Sequence, residues 1–246
     1  MKISFCITCK DRLFYLSQTL PLNILNSSDY FEKEFILMDY NSQDGLYEWA
    51  KSNLHYWESK GIVKYLRTDK PKYFSAAHAK NIAHKNATGE ILCNLDCDNF
   101  IRPGFCQYLE QIFKNPKVIF YSSSEDIFRN NGCCGKIAST RETFYSVNGY
   151  DESASVNLGW GWDDVSFRER AKRKNGLKDI CCDLKYNLAI DHSNATRTQN
   201  FVEKNILKSQ QDSIKALTEL VMNNCYVVNE DTNWGFVDDL KIGLNR

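Results

Sequence analysis

Two aspartates with one residue between them close an apolar run, Ile91-Leu92-Cys93-Asn94-Leu95-Asp96-Cys97-Asp98-Asn99. Read as the end of a strand, the run turns Asp96 and Asp98 to the same side, because side chains alternate along a strand. Two anionic oxygen donors at the end of a buried strand suit a hard divalent cation such as Mg²⁺ or Mn²⁺. Such a cation commonly keeps coordination positions for substrate phosphates. The chemistry this points to is an enzyme handling a nucleotide diphosphate.

A second group of residues could work beside such a site. In Leu158-Gly159-Trp160-Gly161-Trp162-Asp163-Asp164, two glycines, two tryptophans and two carboxylates precede a helix. Glycine lets a ligand approach the backbone closely. A tryptophan face suits the apolar face of a sugar ring, and a carboxylate beside it can act as a general base on a hydroxyl. The plainer reading is a helix cap with core tryptophans, since aspartate caps helices well. The paired aspartates upstream tip the balance towards a site. The third candidate is His192, just after an expected strand and of a type that binds Mn²⁺. A lone histidine is more often structural or exposed; the other three, His55, His78 and His84, fall in expected helices.

The elements needed to position these groups can be traced. Ile3 to Thr8 reads as a buried strand. Asp11 to Asn26 follows as a helix, weakened in its second half by Pro21. Phe35 to Met38 is a second strand, ending in the polar turn Asp39-Tyr40-Asn41-Ser42-Gln43-Asp44-Gly45. Leu46 to Ser59 reads as one helix, Ile62 to Leu66 as a third strand, and Ser75 to Lys85 as an alanine-rich helix before the Asp96 strand. This alternation implies a parallel sheet with helical crossovers. Ligands of such sheets lie beyond the carboxyl ends of the strands, so Asp39 and Asp96 should converge on one crevice. Further on, Val118 to Tyr121 and Gly132 to Ser139 read as strands, and Asp164 to Arg173 and Val202 to Met222 as helices.

The chain has 246 residues, 43% of them hydrophobic, which allows a substantial core. Lysine plus arginine and aspartate plus glutamate are equal at 31 each, so no basic excess argues for nucleic acid. No signal-peptide pattern opens the chain, and no apolar stretch is long enough to span a bilayer. The expected location is the cytoplasm, with peripheral contact at the inner face of the membrane left open. Among ten cysteines, Cys6-Ile7-Thr8-Cys9 has CxxC spacing, and Cys133-Cys134 and Cys181-Cys182 are adjacent. Cys6 and Cys9 fall in a strand, and no second CxxC or histidine pair completes a zinc set. Free, buried thiols are therefore expected. No repeat or linker divides the chain, so one domain is expected. It comprises a nucleotide-binding half (1–99), an acceptor and metal half (100–200), and a C-terminal helix and tail (201–246).

Taken in order, four segments resemble glycosyltransferases of the GT-A type, family 2 kind. The second half is similar to the β-1,4-galactosyltransferase group and to bacterial chondroitin-polymerase-type domains. Met38 to Gly45 resembles the early nucleotide-binding turn, often DDGSxD. Ser75-Ala76-Ala77-His78-Ala79-Lys80-Asn81-Ile82-Ala83 with Ala87-Thr88-Gly89-Glu90 resembles the helix before the DxD strand. Asp96-Cys97-Asp98 matches DxD, and Gly159 to Asp164 resembles GWGxED. The resemblance implies a single α/β GT-A domain, with a mostly parallel central sheet and helices on both faces.

It also implies roles. Asp39 would contact the uracil or ribose and Asp96 the ribose side. Thr8, Arg12, Asn41, Asp44, Asn81 and Trp160 would complete the nucleotide and donor site. Asp98 and His192 would hold Mn²⁺ (or Mg²⁺). Asp164 would be the catalytic base and Asp163 the acid preceding it. Tyr40 departs from the usual second acid of the nucleotide turn, and Asp163 from the commoner glutamate. The implied activity moves galactose or N-acetylgalactosamine from a UDP-sugar to a hydroxyl of a glycan or lipid-linked glycan, with inversion. Two alternatives stand beside it. One is a nucleotidyltransferase, against which the glycine-free Thr8-Cys9-Lys10-Asp11-Arg12 counts. The other is a catalytically silent glycan-binding domain.

Overall fold

The structure, a computed structural model, describes residues 1–123, 132–153 and 159–244. Leu158 lies outside them. The first half alternates β1 (Ile3–Cys9), α1 (Leu13–Asn26), β2 (Lys33–Tyr40), α2 (Leu46–Asn53), α3 (His55–Ser59), β3 (Val63–Thr68), α4 (Ala76–Lys85) and β4 (Ile91–Asn94). The second half adds α5 (Phe105–Phe113), β5 (Val118–Tyr121), β6 (Ile137–Thr140), α6 (Arg141–Ser146), α7 (Asp163–Asn175), β7 (Lys178–Cys181), α8 (Asn194–Thr198), α9 (Ile206–Met222) and β8 (Lys241–Ile242).

Among the described residues, all eight strands form one sheet, ordered β7-β5-β6-β4-β1-β2-β3-β8. The pairs β1·β2, β1·β4, β2·β3 and β5·β7 are parallel; β4·β6, β5·β6 and β3·β8 are antiparallel. The expected α/β class with a mostly parallel sheet is therefore what is found.

Strands buried on both faces read as continuous apolar runs, and β1 and β2 are buried throughout. Alternation then sorts their side chains between two cores. Ile3, Phe5, Ile7, Phe35 and Leu37 pack with Leu16 and Leu20 of α1, Ala50 of α2 and Phe105 of α5. Cys6, Ile36 and Met38 pack on the other face with Ala83 of α4, Phe144 of α6 and Phe167 of α7. Helices thus cover both faces.

The structure corrects several boundaries. The expected helix over 46–59 breaks at Leu54, whose buried side chain turns the chain between α2 and α3. Pro21 lies inside α1 without ending it. β4 stops at Asn94, so Asp96 and Asp98 lie in the turn beyond the strand rather than on it. β6 starts only at Ile137, α9 only at Ile206, and the two-residue β8 was not foreseen. No strand leads directly into His192; a single antiparallel bridge, Asn99 to Ala189, stands just before it. Cys6, Cys9, Cys93, Cys97, Cys106 and Cys182 are buried free thiols as expected, but Cys134, Cys181 and Cys225 are exposed. Among the described residues, no helix is long and apolar enough to cross a membrane.

Candidate functional site

Parallel register brings the carboxyl ends of β1 and β4 together. Cys6 of β1 pairs with Asn94 of β4, and Leu95 N–H donates to the Cys6 carbonyl at 2.9 Å. Past this point the backbone of the Asp96–Asn99 turn is held by the chain before His192. Ile190 N–H donates to the Asp98 carbonyl and Phe100 N–H to the Leu188 carbonyl, both at 2.9 Å. These bonds flank the Asn99–Ala189 bridge and join segments far apart in sequence. As a result His192 Nε2 lies 2.6 Å from Asp98 Oδ2. Asn99 Nδ2 donates to the other Asp98 oxygen at 2.6 Å, and the Tyr15 ring packs edge-on against the imidazole at 5.4 Å. His192 Nδ1 is buried with no hydrogen-bond partner among the described residues.

Carboxylate oxygen and imidazole nitrogen form a donor pair suited to Mn²⁺. Among the described residues, no cluster of three or more acidic, histidine or cysteine groups completes a protein-only metal site. Two protein ligands with the remaining positions left to substrate is the pattern of cations that work on phosphates. The residues therefore fit such a cation.

Asp96 stands beside this pair. Burial pushes its carboxyl above the usual carboxylate range; the charges of Asp98 and Asp163 add to this, while Lys80 opposes it. Gly135 backs directly onto it: a Cβ there would overlap the carboxylate, 2.6 Å from its Cγ. Gly135→Ala should displace Asp96 and cost about 1–3 kcal/mol, the usual range for overpacking. A lowered midpoint in urea unfolding checks this, and an unchanged midpoint would contradict it.

The Gly159–Asp164 turn forms the opposite wall. Gly159 backs onto α9, where an added Cβ would overlap Ser209 Oγ. Trp162 has a positive φ of 71°, rare for a bulky residue and worth reading as local strain at a site. It is the N-cap residue of α7, whose first turn carries Asp163 and Asp164. Both carboxylates meet one ammonium. Lys80 Nζ, from α4, lies 2.5 Å from Asp163 Oδ2 and 2.7 Å from Asp164 Oδ1. Burial pushes the Asp164 carboxyl well above its ordinary value, and the Asp163 charge pushes the same way against Lys80. A carboxylate raised in this way is a stronger base.

The two walls enclose a cleft of about 450 Å³, lined by Thr8, Arg12, Asp96, Asp98, Trp160, Asp163, Asp164 and His192, among others. The profile of Glycosyl transferase family 2 matches residues 4–181, which covers most of the chain and includes the Asp96–Asp98 and Gly159–Asp164 turns, with His192 lying beyond it. The chain belongs to glycosyl transferase family 2. No curated protein sequence matches it.

Solved structures agree in fold. A mannosyltransferase from Pyrobaculum calidifontis, in complex with GDP-Man and Mn²⁺, is 17% identical, with a TM-score of 0.60 over 74% of this chain and 54% of its own. An S. aureus TarS fragment in complex with UDP is 14% identical, with a TM-score of 0.60 over 90% and 72%. GalNAc-T7 with UDP, GalNAc and Mn²⁺ is 16% identical, with a TM-score of 0.60 over 74% and 42%. The chain thus spans about half the length of the mannosyltransferase and less of GalNAc-T7. The shared architecture is the GT-A fold.

Not every expected donor-site residue of this family 2 domain reaches the cleft wall. Asp39 is fully buried, and its oxygens accept from Tyr65 Oη at 2.6 Å, Arg67 at 2.7 Å and Ser42 N–H at 2.9 Å. Burial raises its pKa in spite of these bonds. Asp44 accepts from Leu13 N–H at 2.7 Å, fastening the start of α1. Asn41 Nδ2 donates to the Pro71 carbonyl at 3.1 Å. Asn81 is fully buried; it donates to the Tyr150 carbonyl and Glu152 and accepts from Tyr150 N–H. Through these bonds the Asn81 amide braces the loop after α6. Three cleft cations escaped the sequence reading as site residues: Lys10, Lys80 and Arg197. Lys10 donates to the Tyr40, Asn41 and Pro71 carbonyls and so pins the nucleotide turn. Arg197 lies over the Trp160 ring, 5.4 Å from its centroid.

Proposed function

We propose that this family 2 protein is a metal-dependent glycosyltransferase. It moves a hexose from a UDP-sugar to a hydroxyl of a glycan acceptor, free or lipid-linked, with inversion at the anomeric carbon. Galactose and N-acetylgalactosamine are the favoured donor sugars. One observation carries the reading: the Asp98–His192 pair and the Asp163–Asp164 pair line the same cleft. Support for the nucleotide comes from the TarS fragment and GalNAc-T7, both in complex with UDP. Support for the cation comes from GalNAc-T7 and the mannosyltransferase, both with Mn²⁺.

In this reading Asp98 and His192 would hold Mn²⁺, which when bound neutralises charge on the departing diphosphate. Thr8, Arg12 and Asp96 line the donor side, and the Arg12 guanidinium there donates to the Thr196 carbonyl. Trp160 offers an apolar ring to the sugar, and Asp164 takes the proton from the acceptor hydroxyl as it attacks. Asp163 lies beside the base and orients the acceptor. Asp39, Asn41 and Asp44 shape the turn under the nucleotide.

The test is a panel of UDP-hexoses and GDP-mannose, incubated with Mn²⁺ and followed by separation of the nucleotides. Slow UDP release from one UDP-hexose is expected, with proton NMR showing the inverted anomer of the sugar. Release of GDP alone would overturn the uridine assignment. A retained anomer would overturn inversion.

A further inference from the structure

Lys80 is a lysine where a lysine is costly. It lies on α4 among Ala77, Ala79, Ile82 and Ala83, all buried, and is itself 4% exposed. An ammonium taken out of water costs several kcal/mol unless it is well paired. Here it is paired twice, with Asp163 and Asp164, and its Nζ also lies 5.1 Å from the Tyr150 ring centroid.

The two aspartates are adjacent on a helix, and adjacent helical side chains do not face one another. Left alone they would diverge. One ammonium holding an oxygen of each fixes both rotamers. It bonds Asp164 through Oδ1 and leaves Oδ2 outside the ion pair, with the side chain 18% exposed.

We propose that Lys80 is a positioning residue for the transfer, holding Asp164 by one oxygen so that the other meets the acceptor hydroxyl. The proposal rests on the reading of Asp164 as the base. The groups facing Asp164 are Asp163 on its own helix, Lys80 from α4, Asp96 from the turn after β4, and Tyr150 from the loop after α6. Lys80 is the only cation among these four. Burial works against its charge, but Asp163, Asp164 and Asp96 outweigh burial and keep it protonated. Its charge favours the ionised form of Asp164, so removing it should make Asp164 harder to deprotonate.

The test compares Lys80→Met, Lys80→Arg and Asp164→Asn on the UDP-hexose that the wild type hydrolyses fastest with Mn²⁺. A misplaced reacting group can cost about 10²-fold. Lys80→Met should lose about that factor in kcat, keep its donor KM, and move the acid limb of the kcat profile to higher pH. Lys80→Arg should recover most of the rate and the limb. A substrate-independent readout is the ¹³C carboxyl titration of Asp164, assigned with Asp164→Asn; its midpoint should rise in Lys80→Met and return in Lys80→Arg. If Lys80→Met fails to fold, Lys80→Met/Asp163→Asn keeps the cluster's net charge and carries the titration against Asp163→Asn alone, above whose Asp164 midpoint its own should lie. An unmoved Asp164 midpoint, or full turnover in Lys80→Met, overturns the proposal. Normal turnover in Asp164→Asn would instead overturn the base itself.

Discussion

Asp164→Asn should lower turnover by ~10²–10⁴-fold, the range a general base contributes. The substitution keeps the shape and removes the basicity. Donor binding should stay near that of the wild type, because Asp98 and His192 are untouched. Asp163→Asn should act mainly through acceptor affinity, raising the acceptor KM. The pH profile gives an independent check. Burial and the Asp163 charge raise the folded pKa of Asp164 above its ordinary value. The base must be ionised, so activity should grow as pH rises through that raised pKa. The acid limb of kcat should therefore lie above the range of an exposed carboxylate. Steady-state kinetics on the three proteins decide the matter. Loss of turnover in Asp163→Asn with near-normal Asp164→Asn would reverse the assignment. Full activity in both would return the motif to a helix cap.

Removal of either metal-side residue should have an effect of similar size on binding. Outer-sphere partners of a metal site typically contribute 10–100-fold to affinity, so losing a direct ligand should cost at least about 100-fold. Asp98→Ala and His192→Ala should each weaken Mn²⁺-dependent UDP binding by that much, as read by calorimetry. Binding of UDP without Mn²⁺ should change far less. The two residues are 94 apart in sequence yet touch through Nε2 and Oδ2, so the double variant should be little worse than either single one. Unchanged affinity in both single variants would show that the pair does not hold the cation.

Much of this was legible in the residues themselves. The strands β1, β2 and β4 announce themselves by apolar runs, because buried parallel strands carry side chains into two cores at once. The chemistry of Asp98 and His192 was likewise legible by type. Their contact was expected only by resemblance, since the element that creates it is one bridge, Asn99 to Ala189, with no periodicity to read. Lys80 escaped for a related reason. Local pattern treats a lysine in an alanine-rich helix as solvated, and the partners that bury it lie 83 and 84 residues away. Asn81 shows the same limit. Its type in a family-like segment suggests a ligand contact, while its amide partners Tyr150 and Glu152 lie 69 and 71 residues away. Asp39 is similar, since Tyr65 and Arg67 on the neighbouring β3 claim its oxygens. Long-range pairing of polar groups is a property of the folded chain, and one sequence contains no record of it.

The central claim is that a cation-dependent attack on a UDP-sugar takes place in the cleft between the Asp96–Asp98 turn and the start of α7. Its most direct test is the time course of UDP formation from UDP-hexoses with water as acceptor, run with Mn²⁺ and again with EDTA. The account predicts steady UDP release from at least one UDP-hexose with Mn²⁺, abolished by EDTA and strongly reduced in Asp164→Asn. UDP release that is the same with EDTA as with Mn²⁺, or no release from any UDP-hexose, would contradict it.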